Sequence, residues 1–109
     1  MMNVTGRDIE ITKGDTGAFT ITFTGDDKPS DGCTVEVSLK KTQTSDTPIW
    51  KKKLTVSNDA IYVILNQADT DQPFGQYWWD ARILFQDGSV YTPMKPASFK
   101  VLEVIGDGK

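Results

Sequence analysis

Apolar residues recur at every second position in short runs along this chain, a period that suits strands and not helices. Across residues 16–24, Phe19, Ile21 and Phe23 fall on one side, with Thr20, Thr22 and Thr24 on the other. Across residues 33–41, Val35, Val37 and Leu39 oppose Thr34, Glu36, Ser38 and Lys40. Across residues 75–86, Tyr77, Trp79, Ala81, Ile83 and Phe85 oppose Trp78, Asp80, Arg82, Leu84 and Gln86. The β-branched and aromatic content of these runs fits a pleated, half-buried surface. The chain is therefore expected to be all-β.

Weaker runs complete the pattern. Residues 8–12 alternate around Ile9 and Ile11, and residues 49–56 carry Lys51, Lys52 and Lys53, as an edge strand should to discourage further pairing. Residues 60–65 are apolar on both faces, which predicts a strand covered on both sides or an edge packed by a loop. Residues 89–92 and 97–105 read as one last strand broken by Pro93 and Pro96, hence a bulge or an edge. Turn residues separate the runs, and Asp87-Gly88 predicts a two-residue hairpin turn of type I′. Near residues 66–72 an Asn cap introduces one short helical turn crossing between sheets. About seven strands with turns every 8–12 residues predict an immunoglobulin-like β-sandwich of two antiparallel sheets.

The length of 109 residues suits a single domain, 1–109, with its core over about 8–105. Phe19, Ile21, Phe23, Val35, Val37, Leu39, Tyr77, Trp79, Ile83, Phe99 and Val101 are the expected core. Each fully buried aliphatic or Phe side chain contributes roughly 1.5–3 kcal/mol. The single cysteine, Cys33, rules out an intrachain disulfide and is expected to be a small buried hydrophobe. Tyr77 stands where antibody-type domains place their corner tyrosine, two residues before the second disulfide cysteine. Trp79 takes that cysteine's place, so a large ring is expected to fill the space the disulfide would span. The aspartate often found upstream of such a corner is replaced by Pro73.

Chemistry is hard to place here. Histidine is absent, which removes the commonest general base and metal ligand. Cys33 and the serines lack a base, and no phosphate-cradling Gly-rich loop precedes a helix. Asp69, Asp71 and Asp80 lie near one another in sequence, but a sandwich this small offers little cleft for a carboxylate pair. The loop holding Asp26, Asp27 and Asp31 does not match a calcium pattern and contains Lys28. No catalytic residue, metal or cofactor is expected. The net charge of −3 argues against nucleic acid or anionic lipid as partner. No run approaches the roughly 20 apolar residues of a membrane helix, and residues 1–6 lack the basic start of a signal peptide. Aromatics on the polar sides of strands are the remaining signal. Trp50, Trp78, Asp80, Arg82 and Tyr91 form the candidate interaction surface, for a protein partner or, with the three rings, a sugar. Weak self-association through the edge near Trp50 or the proline-broken last strand is also expected.

The order of motifs resembles a phage structural family. Asp8-Ile9-Glu10-Ile11-Thr12-Lys13-Gly14-Asp15 precedes the first long strand, followed by Gln67-Ala68-Asp69-Thr70 and Gly75-Gln76-Tyr77-Trp78-Trp79-Asp80. Asp87-Gly88, Tyr91-Thr92-Pro93 and Phe99-Lys100-Val101 close the series. It is similar to the N-terminal immunoglobulin-like domain of baseplate upper proteins in tailed phages and prophages of Gram-positive bacteria, over roughly residues 8–105. The resemblance implies a virion component made in the host cytoplasm that docks on other tail or baseplate proteins. In larger members a coiled linker and further domains follow, and those carry host recognition. It supplies no catalytic residues.

Overall fold

The computed structural model describes residues 2–5 (backbone only), 7–24, 29–92 and 95–103. In chain order the elements are β1 (Met2–Thr5), β2 (Asp8–Thr12), β3 (Gly17–Thr22), β4 (Thr34–Lys40), β5 (Trp50–Thr55) and β6 (Ala60–Leu65), then α1 (Gln67–Thr70), β7 (Gly75–Leu84), β8 (Val90–Tyr91) and β9 (Ala97–Leu102). The expected all-β sandwich is present, and so is the short helical turn. Asp26, Asp27 and Lys28 of the loop weighed and set aside as a calcium site, together with Pro93, lie outside the described residues.

The two layers are unequal. Six strands lie side by side in the order β1-β2-β9-β7-β4-β5, with β8 pairing the far part of β7; among the described residues β3 and β6 alone form the second sheet. Three expectations change here. The strands number nine among the described residues, because β1 was not anticipated and the last strand splits into β8 and β9, both paired to β7. The large sheet is mixed and not antiparallel, because β2 runs parallel to β9 with Ile9 beside Phe99 and Val101 beside Ile11. Type I′ geometry is also not at Asp87-Gly88. There only Gly88 has a positive φ (92°), and its N–H donates to Phe85 C=O at 3.0 Å, giving a longer loop with one left-handed residue. The two-residue turn with both central φ values positive is Asn58-Asp59, at 55° and 62°, closed by mutual backbone bonds between Ser57 and Ala60.

That tight turn has an unusual consequence. A type I′ turn normally starts a paired hairpin, yet beyond the Ser57–Ala60 bridge β5 joins β4 in the large sheet and β6 joins β3 in the small one. The two strands part at the turn and leave an open groove of about 290 Å³ between Leu54 and Thr55 on one side and Ala60, Ile61 and Tyr62 on the other.

The alternation places the core as expected. Val35, Val37, Leu39, Tyr77, Trp79, Ile83, Phe99 and Val101 are buried in one cluster, joined by Ile9, Ile11, Val56, Ile61, Val63 and Leu65, with Phe19 and Ile21 packed against it. Cys33 is buried and unpaired, as expected. Phe19 and Trp79 meet edge-to-face at 5.4 Å and bridge the two sheets. The Trp79 indole N–H donates to Arg7 C=O at 2.8 Å, tying the approach to β2 onto β7. The Tyr77 hydroxyl donates to Pro73 C=O, four residues upstream. The corner is therefore formed, with a backbone carbonyl as acceptor, so Pro73 does not disrupt it.

Candidate protein interface

Of the anticipated surface residues, Trp78, Asp80 and Arg82 do share the outer face of the large sheet. β7 sets them opposite Lys40, Ser38 and Glu36 of β4, and β5 places Lys51 and Lys53 opposite Ser38 and Glu36. Asp80 is only 9% exposed and is held by Lys40 at 3.0 Å, so its buried charge has a partner. Lys51 and Lys53 share a single carboxylate, Glu36, at 3.8 and 3.7 Å. Arg82 is exposed and forms no ion pair among the described residues. Across β4, β5 and β7 this face carries Lys40, Lys51, Lys53 and Arg82 against Glu36 and Asp80. On these three strands an acidic chain thus presents a net positive patch, with half-buried Trp78 beside Lys40.

Trp50 and Tyr91 do not join them. Trp50 pairs with Leu39, whose side chain is buried, so it points inward. Its ring meets Phe99 edge-to-face at 6.5 Å, and its indole N–H donates to Asp69 C=O at 3.0 Å. Lys52, on the same side, bridges Asp69 at 2.8 Å and lies over the Trp50 ring. Trp50 is thus a partly buried clasp between β5 and α1, on the opposite side of the sheet from Trp78. Tyr91 is 49% exposed but lies opposite Ile83, a core residue, which puts it on the other side of the sheet from Trp78. The three aromatics do not form one platform on which a sugar would stack.

A second surface was missed. In the small sheet Ile61, Val63 and Leu65 enter the core, while Tyr62 and Ile64 stand 59% and 58% exposed. The register sets Ala18, Thr20 and Thr22 beside Ile64, Tyr62 and Ala60, so this outer face carries no charge. Among the described residues nothing covers it, which corrects the expectation of a strand covered on both sides or an edge packed by a loop: β6 is an edge, and its outer side chains stand exposed. The signal was present: an apolar run on both faces, next to a strand whose own outer face is threonine and alanine.

Each of the carboxylates considered for catalysis has a lysine partner: Asp69 has Lys52, Asp71 has Lys13 at 3.4 Å and Asp80 has Lys40. Asp69 closes a capping box with Asn66, accepting from the Asn66 N–H at 2.8 Å while the Asn66 side chain accepts from the Asp69 N–H at 3.1 Å. It faces Lys52 on the inner side, whereas Asp80 belongs to the outer face, so the two do not oppose each other across a cleft. Asp87 accepts from the Ser89 hydroxyl at 2.6 Å and N–H at 2.8 Å, and these bonds hold its carboxyl below the usual range. Among the described residues no group of three or more His, Cys, Asp or Glu is placed to hold a metal. No helix among them is long and apolar enough to cross a membrane. No protein-family model matches the chain, and no curated protein matches it.

Proposed function

We propose that this chain is a non-enzymatic structural module of a phage or prophage particle, an immunoglobulin-like tail or baseplate component that docks on other virion proteins. The observation that carries the docking role is the uncharged outer face of β3 and β6. Tyr62 and Ile64 share the outer face of β6 there, on a sheet that has two strands among the described residues. Exposed apolar surface of this kind, rimmed by polar groups, marks a contact with another protein, and tyrosine is enriched at such contacts. The virion setting rests on the order of motifs from Asp8 to Val101, and the corner tyrosine and sandwich layering are in keeping with it.

Mass spectrometry of particles purified from an induced lysogen tests the setting; absence from every particle would sink it. Replacing Tyr62 and Ile64 by Glu tests the surface. Both are exposed, so the variant is expected to fold with stability within about 0.5 kcal/mol of the parent and to be lost from the particles. Retention at parental levels would remove this face from the docking role.

A further inference from the structure

The free edge of β5 has a chemistry distinct from the small sheet's outer face. Val56 N–H donates to Cys33 C=O, and the register alternates without a bulge from there to Trp50. In an antiparallel ladder this directs the backbone groups of Trp50, Lys52 and Leu54 towards β4, and those of Lys51, Lys53 and Thr55 away from it. β5 is the last strand of its sheet among the described residues, so the outward-directed groups form an open ladder. Two of the three residues that own those groups, Lys51 and Lys53, are the lysines sharing Glu36. On the inner side of the same edge, at Leu54, lies the groove where β5 and β6 part.

We propose that this edge accepts an extended segment of a partner protein, added as a strand beside β5, with acidic residues at two positions two apart and an apolar residue next to them. The inference rests on the reading of the chain as a protein-docking module. Residues directly opposite Lys51 and Lys53 share the outer face with them, and one carboxylate among three surrounding cations leaves charge for the partner to neutralise. The intervening side chains of an added strand point inward, and the one opposite Leu54 enters the groove, which is lined by Thr55, Ile61 and Tyr62 among others. A second copy of β5 is a poorer occupant, because the registers that overlap the two edges most set Lys against Lys. Neutral strands gain nothing from the lysines, so the edge selects by charge.

The test uses the full chain and a capped hexapeptide alternating valine and glutamate, titrated calorimetrically at low salt. Saturable binding is expected. A peptide of the same composition with its valines and glutamates in separate blocks should bind at least about tenfold more weakly. N-methylation of the backbone groups that meet β5 should cost as much, and amide exchange at Lys51, Lys53 and Thr55 should slow when the parent peptide binds. The variant Lys51→Glu with Lys53→Glu, its fold checked by circular dichroism, should lose the glutamate peptide and gain one alternating valine and lysine. No binding, or binding indifferent to N-methylation or to charge reversal, overturns the proposal. If the hexapeptide fails while the chain is still found in particles, this edge is wrong and the docking role stands. If the hexapeptide binds while no particle contains the chain, the edge stands and the virion setting falls.

Discussion

Tyr77 joins two properties that are hard to separate by eye. Its ring is buried, and its hydroxyl holds Pro73 C=O at the entry to β7. Replacing it with Phe keeps the packing and strands the carbonyl, which should cost about 0.5–1.5 kcal/mol in urea unfolding at neutral pH. The pH dependence follows from the same burial, which pushes the phenol above its ordinary value of 10.0. The folded chain then holds its proton where the unfolded chain releases it. Stability from this group is complete below that ordinary value and falls as pH rises towards the raised one. Tyr77→Phe should flatten that alkaline loss, and an equally steep loss in the variant would contradict the assignment. Single residues were read well where alternation was clean, as at Val35, Val37 and Leu39. They were misread at Trp50, where three consecutive lysines hide the period and only pairing with Leu39 decides which way the ring points.

Among the elements, α1 is one short turn that ties several others together. A helix of four residues has little intrinsic stability, so it depends on its capping box, on Lys52 and Trp50, and on the Thr70 hydroxyl, which donates to Asp15 C=O at 2.7 Å. Asn66→Ala removes the cap and should cost about 1 kcal/mol, with amide exchange rising first at Asp69. A loss confined to noise would mean the tertiary contacts alone hold the turn. The helical turn was legible because Asn caps have a local signature. The turn geometries were not. Asn-Asp and Asp-Gly both permit positive φ, and which pair adopts it depends on whether the flanking strands must part. Residues 60–65 showed their two apolar faces plainly, but no local pattern says whether the second face meets a loop or solvent.

At the scale of the molecule, two sheets of unequal size are joined without a disulfide, and the Phe19–Trp79 contact spans them. Trp79→Ala should lower stability by roughly 3–5 kcal/mol, a large share of the 5–15 kcal/mol typical of a domain. Unchanged urea unfolding would show that the stapling lies elsewhere. The sandwich itself was legible from the period and turn spacing. The parallel neighbours β2 and β9 were not, because direction of pairing depends on contacts across about 90 residues of chain. That pairing has a mechanical meaning. The chain enters the ladder at Ile9 and leaves it at Leu102, at opposite ends of two strands lying side by side. Tension between those points, once β1 has peeled away, slides the strands lengthwise, so their hydrogen bonds bear load together and cannot open one at a time. A domain strung this way should resist extension in single-molecule pulling with one abrupt rupture, whereas gradual low-force lengthening would contradict it.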